Sequence, residues 1–107
     1  MSAITTHVLD TAQGRPAAGI NVVLEYGGDH AWREIGRGVT GHDGRIRTLL
    51  PDAHVLQTGE YRLTFQTRDH SAFFPNVTIQ FAVDDNAQHY HVPLLLSPYG
   101  YSTYRGS

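Results

Sequence analysis

Apolar and polar residues alternate with a period of two through most of this 107-residue chain. From Ala3 to Asp10, Ile4, Thr6 and Val8 fall on one face and Thr5, His7 and Leu9 on the other. That pattern predicts a strand carrying a histidine opposite its core-facing row. Ile20 to Tyr26 predicts a β-branched second strand. Gly27, Gly28, Asp29 and His30 then close a hairpin into a third, Ala31 to Thr40, where Trp32 and Ile35 are the expected core anchors. A short strand from Ile46 to Leu50 ends at Pro51. Gly59 to Thr67 sets Tyr61, Leu63 and Phe65 on one face, and Asn76 to Val83 does the same with Val77, Ile79, Phe81 and Val83. The last two strands lie in His89–Ser107, on either side of a turn at Ser97, Pro98, Tyr99 and Gly100.

The breakers agree with this division. Gly14 and Gly19 bracket Pro16, and Asp43-Gly44 supplies the positive φ of a tight reversal. Asp52 to Thr58 has no period and reads as loop. Arg68 to Phe74 reads as one short helical turn stopped by Pro75. Eight short strands at intervals of roughly 8–12 residues argue an all-β, antiparallel, eight-stranded sandwich with one short helix. No repeat, low-complexity tract or linker divides the chain, so residues 1–107 read as a single domain.

Composition narrows the chemistry. A chain of this length buries roughly two-thirds of its unfolded surface, enough for one core without staples. With no cysteine, thiolate nucleophiles and zinc-thiolate sites are excluded. A net charge of -2 offers no footprint for nucleic acid or an anionic membrane. The longest apolar run, Val92 to Leu96, is far short of a membrane span. The N-terminal stretch MSAITTHVLD has neither a basic segment nor an apolar signal core, so the expected location is cytoplasmic. Seven histidines are the one oddity, and they titrate near neutral pH.

Their placement makes a candidate site. His89 and His91, two apart on a strand, share a face opposite Tyr90, Val92, Leu94 and Leu96. They are either two surface histidines or, with His7, three ligands of a metal ion. Pro93 cannot donate to a ladder, so it marks an edge, a bulge or a break. Thr5, Thr6 and Asp10 are candidates to fix the tautomer of His7, and equally ordinary strand and turn residues. Arg45 leaves the Asp43-Gly44 turn at a strand mouth, where its guanidinium can hold a planar anionic group. Arg47 competes for that role but is expected on the opposite face. Ser102 and Tyr104 share a face near the C-terminus. No G-x-S-x-G elbow, phosphate loop or dinucleotide fingerprint occurs. Histidines, an arginine and a tyrosine suit general acid–base work on a small anionic ligand, without a covalent intermediate.

Several segments carry a resemblance. Thr6-His7-Val8-Leu9-Asp10, Asp43-Gly44-Arg45, the run from His89 to Pro98 and the ending Tyr104-Arg105-Gly106-Ser107 resemble the 5-hydroxyisourate hydrolase branch of the transthyretin family, over essentially the whole chain. Transthyretin itself shares the strand pattern and a Leu-Leu-Ser-Pro-Tyr segment but lacks this histidine set and this ending. The resemblance implies a homotetramer of transthyretin-like sandwiches with a central channel, and a small-molecule substrate, 5-hydroxyisourate, an oxidised purine opened by water. It assigns catalysis to His7, Arg45 and His91, and substrate binding to His7, Arg45, Tyr104 and Ser107. It implies no metal and no cofactor, and it gives His89 no catalytic part. Two other readings stay open: a channel that carries a ligand and turns nothing over, and a zinc protein using His7, His89 and His91.

Overall fold

The computed structural model describes residues 2–28 and 31–107. Its strands are β1 (Ile4–Asp10), β2 (Arg15–Pro16), β3 (Asn21–Gly27), β4 (Trp32–Val39), β5 (Arg45–Ile46), β6 (Gly59–Gln66), β7 (Asn76–Val83), β8 (Tyr90–Ser97) and β9 (Gly100–Thr103). They form two facing sheets. One runs β4-β3-β6-β7; the other runs β2-β1-β8-β9, with β5 also on β1. Pairing is antiparallel except at one junction, where β1 and β8 run parallel in unbroken register. That junction brings the two ends of the chain side by side.

Alternation drives the assembly. Ile4 and Val8 of β1 and Val92, Leu94 and Leu96 of β8 are buried, and across the core they meet Val22, Leu24, Leu63, Phe65 and Val77 from the other sheet. At ~25 cal/mol per Å² of apolar surface removed from water, each such side chain contributes about 1.5–3 kcal/mol, so the inward rows dominate the stability. Leu49, Leu50 and Leu56 close the core from the irregular stretch after β5. Gly36 makes that approach possible, because a Cβ there would lie 2.0 Å from the Leu49 carbonyl oxygen.

Four expectations change. The strand placed at Ile46–Leu50 is only the two-residue β5, since the chain leaves the sheet to deliver Leu49 and Leu50 inward. The short helix at Arg68–Phe74 is a turn. The His70 and Ser71 amides donate to the Thr67 carbonyl and the pattern goes no further, so no helix occurs among the described residues. Trp32 is not a core anchor. A register shift sets Leu24 opposite Gly36 but Glu25 opposite Glu34, leaving Ile35 as a bulge. Ile35 packs on the core, whereas Trp32 lies on the outer face beneath the Arg62 guanidinium, 4.3 Å from its ring centroid. The turn region Ala12–Gly19 contains the extra strand β2, hairpinned onto β1. Asp29 and His30 of the expected hairpin lie outside the described residues.

Candidate active site

The outer face of the β1–β8 sheet carries the histidines. The parallel register sets Thr5 opposite His91 and His7 opposite Pro93, so the face presents a hydroxyl, two imidazoles and a proline ring together. On the other edge of β1, β5 places Arg45 opposite His7. The Asp43-Gly44 turn makes this possible. Gly44 has φ +77°, a left-handed conformation that disfavours other side chains, and a Cβ there would stand 2.4 Å from the Val8 carbonyl oxygen. The turn therefore lies flat on β1, fixed by the Val8 amide donating to the Gly44 carbonyl at 2.8 Å.

Pro93 shapes the far side. The odd-numbered residues of β8 face β9 and the tail, and there Pro93 has no N–H to give. The β8–β9 ladder stops at Leu94 opposite Thr103, whose hydroxyl donates to the Pro93 carbonyl at 2.7 Å. The tail returns in the same register at Gly106, whose amide donates to the His91 carbonyl at 2.8 Å. Pro93 thus marks a one-sided break. A Cβ at Gly106 would sit 2.5 Å from the His91 ring, so glycine lets the tail close over the imidazole.

A cavity of about 260 Å³ opens here, lined by Thr5, Arg45, Arg47, His89, His91 and Ser107. It is slightly smaller than the ~300 Å³ at which drug-sized pockets begin, which suits a small planar ligand. Arg47, expected on the opposite face, lines this cavity too: residues two apart along an extended segment point the same way. Its guanidinium is tied to Asp43 at 3.0 Å, leaving Arg45 the freer of the two.

Electrostatics hold both imidazoles neutral. Burial lowers the pKa of His91 below its ordinary 6.5, and the nearby Arg45, His7 and His89 push it further down. His7 is lowered by burial and by Arg45, while a hydrogen bond to the Asp43 backbone pulls the other way. Both are bases at neutral pH beside a permanent cation, which is the charge pattern of a site that activates water next to an anionic group.

The expected residues do not all converge. His7 stands beside Arg45 and lowers His91, but it is not in the lining of the cavity. Ser107 is in the lining. Tyr104 is 58 % exposed and lines a different hollow, of about 390 Å³, with Phe81, Tyr90 and Arg105. Thr5, Thr6 and Asp10 do not bond His7. Thr5 reaches His91 and His89, Thr6 donates to the Val92 carbonyl, and Asp10 bonds His70 Nδ1 at 2.8 Å. Thr5, one of three candidates for His7 in the sequence, serves His91 instead; that partner follows from parity only once β1 and β8 are known to be parallel. Among the described residues no three histidine, aspartate or glutamate side chains are grouped to hold a metal ion.

Residues 4–106 match the pattern of the HIUase/Transthyretin family. The chain belongs to this family. Among its HIUase/Transthyretin relatives, the 5-hydroxyisourate hydrolase of Salmonella dublin is 44 % identical over 97 % of this chain and 80 % of its own length. The structure of Klebsiella pneumoniae 5-hydroxyisourate hydrolase superposes with a TM-score of 0.80 at 37 % identity, covering 97 % of this chain and 98 % of that one. Sea bream transthyretin in complex with thyroxine gives a TM-score of 0.86 at 26 % identity, covering 98 % and 95 %. The family fold is the two-sheet sandwich described above, and the histidine cavity lies on its β1–β8 face.

Proposed function

We propose that this chain hydrolyses 5-hydroxyisourate to 2-oxo-4-hydroxy-4-carboxy-5-ureidoimidazoline, the step that follows urate oxidation in urate degradation. The observation that carries the reading is the gathering of His7, His91 and Arg45 on one outer face, where burial and Arg45 lower the pKa of both imidazoles. The likeness to the Salmonella and Klebsiella enzymes supports the substrate. One imidazole takes a proton from water as its oxygen attacks the ring amide carbonyl. Arg45 stabilises the oxyanion that forms. The C–N bond then breaks, and the imidazolium returns its proton to the departing nitrogen. Acid–base assistance of this kind contributes roughly 10²–10⁴-fold, and an oxyanion donor about 10²–10³-fold. Arg45 and Ser107 hold the planar substrate, and no step requires a cofactor.

Tyr104 belongs to the same proposal through assembly. In a homotetramer whose channel forms where these outer faces meet, a neighbouring copy shields the open cavity and Tyr104 gains contacts that it lacks in one chain. Hydrolysis in ¹⁸O-labelled water tests the reaction. One label in the new carboxylate is the expected result, and an unlabelled product rules out attack by water. Sea bream transthyretin's complex with thyroxine favours a second reading, a carrier that turns nothing over. Tight binding of 5-hydroxyisourate with no acceleration of its decay is the outcome that selects it.

A further inference from the structure

A single hydroxyl stands between two imidazoles in the cavity. Thr5 Oγ1 lies 2.7 Å from His91 Nδ1 and 3.0 Å from His89 Nε2. Thr5 is 4 % exposed, His91 is half-buried and His89 is exposed. A threonine hydroxyl has one proton to give and lone pairs to accept with. The bond between Thr5 and His91 therefore has two polarities. Either Thr5 accepts from His91 Nδ1–H, leaving His91 Nε2 a bare lone pair and the Thr5 proton free for His89, or it donates to His91 Nδ1, and His91 carries its proton on Nε2.

The surroundings select the first polarity. Arg45 and Arg47 line the cavity, and Arg45 acts electrostatically on His91. A lone pair on the cavity side is favoured by those cations, whereas an N–H dipole aimed at them is not. Among the described residues, the other titratable neighbours acting on His91 are His7 and His89, which carry no negative charge to reverse the preference. His89 completes the arrangement from solvent by accepting the Thr5 proton.

We propose that Thr5 and His89 are positioning residues that fix the tautomer of His91, with the proton on Nδ1 and Nε2 presented to the cavity as the base. The inference deepens the proposed function and rests on it only for the kinetic arm of its test.

Thr5→Val keeps the shape and removes the hydroxyl, Thr5→Ser restores it, and His89→Ala removes the exposed partner without touching the core. The imidazole ¹⁵N signals of His91 in the free protein at pH 8 report its tautomer without substrate. The expected result is an Nδ1–H tautomer in the unaltered chain and in Thr5→Ser, and a mixture or Nε2–H tautomer in Thr5→Val and His89→Ala. With substrate, Thr5→Val is expected to lose about tenfold or more in kcat at unchanged KM, since a misassigned histidine tautomer cripples base catalysis, and Thr5→Ser is expected to recover it. An Nε2–H tautomer in the unaltered chain overturns the inference. So does a Thr5→Val protein whose His91 tautomer is unchanged, or a Thr5→Ser protein as impaired as Thr5→Val. A chain that turns over no substrate contradicts the hydrolase reading alone, because the ¹⁵N signals still decide the tautomer.

Discussion

His91 is held on three sides: by Thr5 at its Nδ1, by the returning tail at its carbonyl, and by Gly106 against its ring. Gly106→Ala isolates the last contact. The added methyl must displace either the imidazole or the tail, and a misplacement near 1 Å costs up to ~10²-fold in rate. We expect kcat to fall at least about tenfold with a melting temperature close to that of the unaltered chain, measured by parallel assay and thermal scan. The two lowered histidines also set the pH response. Both remain neutral below the ordinary value of 6.5, so the acid limb of kcat/KM is expected to have its midpoint below that value. The sign for stability follows from linkage. The unfolded chain takes up these protons first, so stability is level above 6.5 and falls as pH drops from 6.5 through the lowered values. Thermal scans between pH 8 and pH 5 check it. The outward facing of His7 and His91 and the turn that leads into Arg45 were legible, because parity and turn chemistry act within a few residues. The Thr5–His91 bond was not, because it joins residues 86 apart in sequence.

At the scale of elements, the site depends on two local departures from regular strand. Pro93 breaks the β8–β9 ladder on one side and frees Tyr104 and Arg105 from it. Gly44 turns the chain flat against β1 and delivers Arg45 beside His7. Gly44→Ala combines a disfavoured φ with a backbone clash, so about 1–3 kcal/mol of stability should be lost. Activity should fall with it as Arg45 is moved. A denaturant titration and an activity assay of the same preparation measure both, and unchanged values in each contradict this account of the turn. Strand boundaries were readable where alternation was clean: the expected span Asn76–Val83 is that of β7. The readings failed where alternation was overridden. The Ile35 bulge reverses parity and turns Trp32 outward, and packing of Leu49 and Leu50 shortens β5. Neither event has a local sequence signal, because each is settled by a contact made in three dimensions.

For the whole molecule, β7 and β9 are edge strands, each paired on one side only among the described residues, and open strand edges favour pairing with another chain. The histidine cavity also lies open on an outer face. The proposed tetramer would cover the cavity, and light scattering on a sizing column is expected to give a tetramer; a monomer at working concentration contradicts that part of the proposal. In the proposed reaction the His7–Arg45–His91 cluster accelerates the opening of 5-hydroxyisourate. Its most direct test is the ultraviolet decay of freshly generated 5-hydroxyisourate with the unaltered chain, with His91→Ala and with His7→Ala. The prediction is rapid decay with the unaltered chain and a loss of about 10²-fold or more in each folded variant. Decay equally fast with all three contradicts the account.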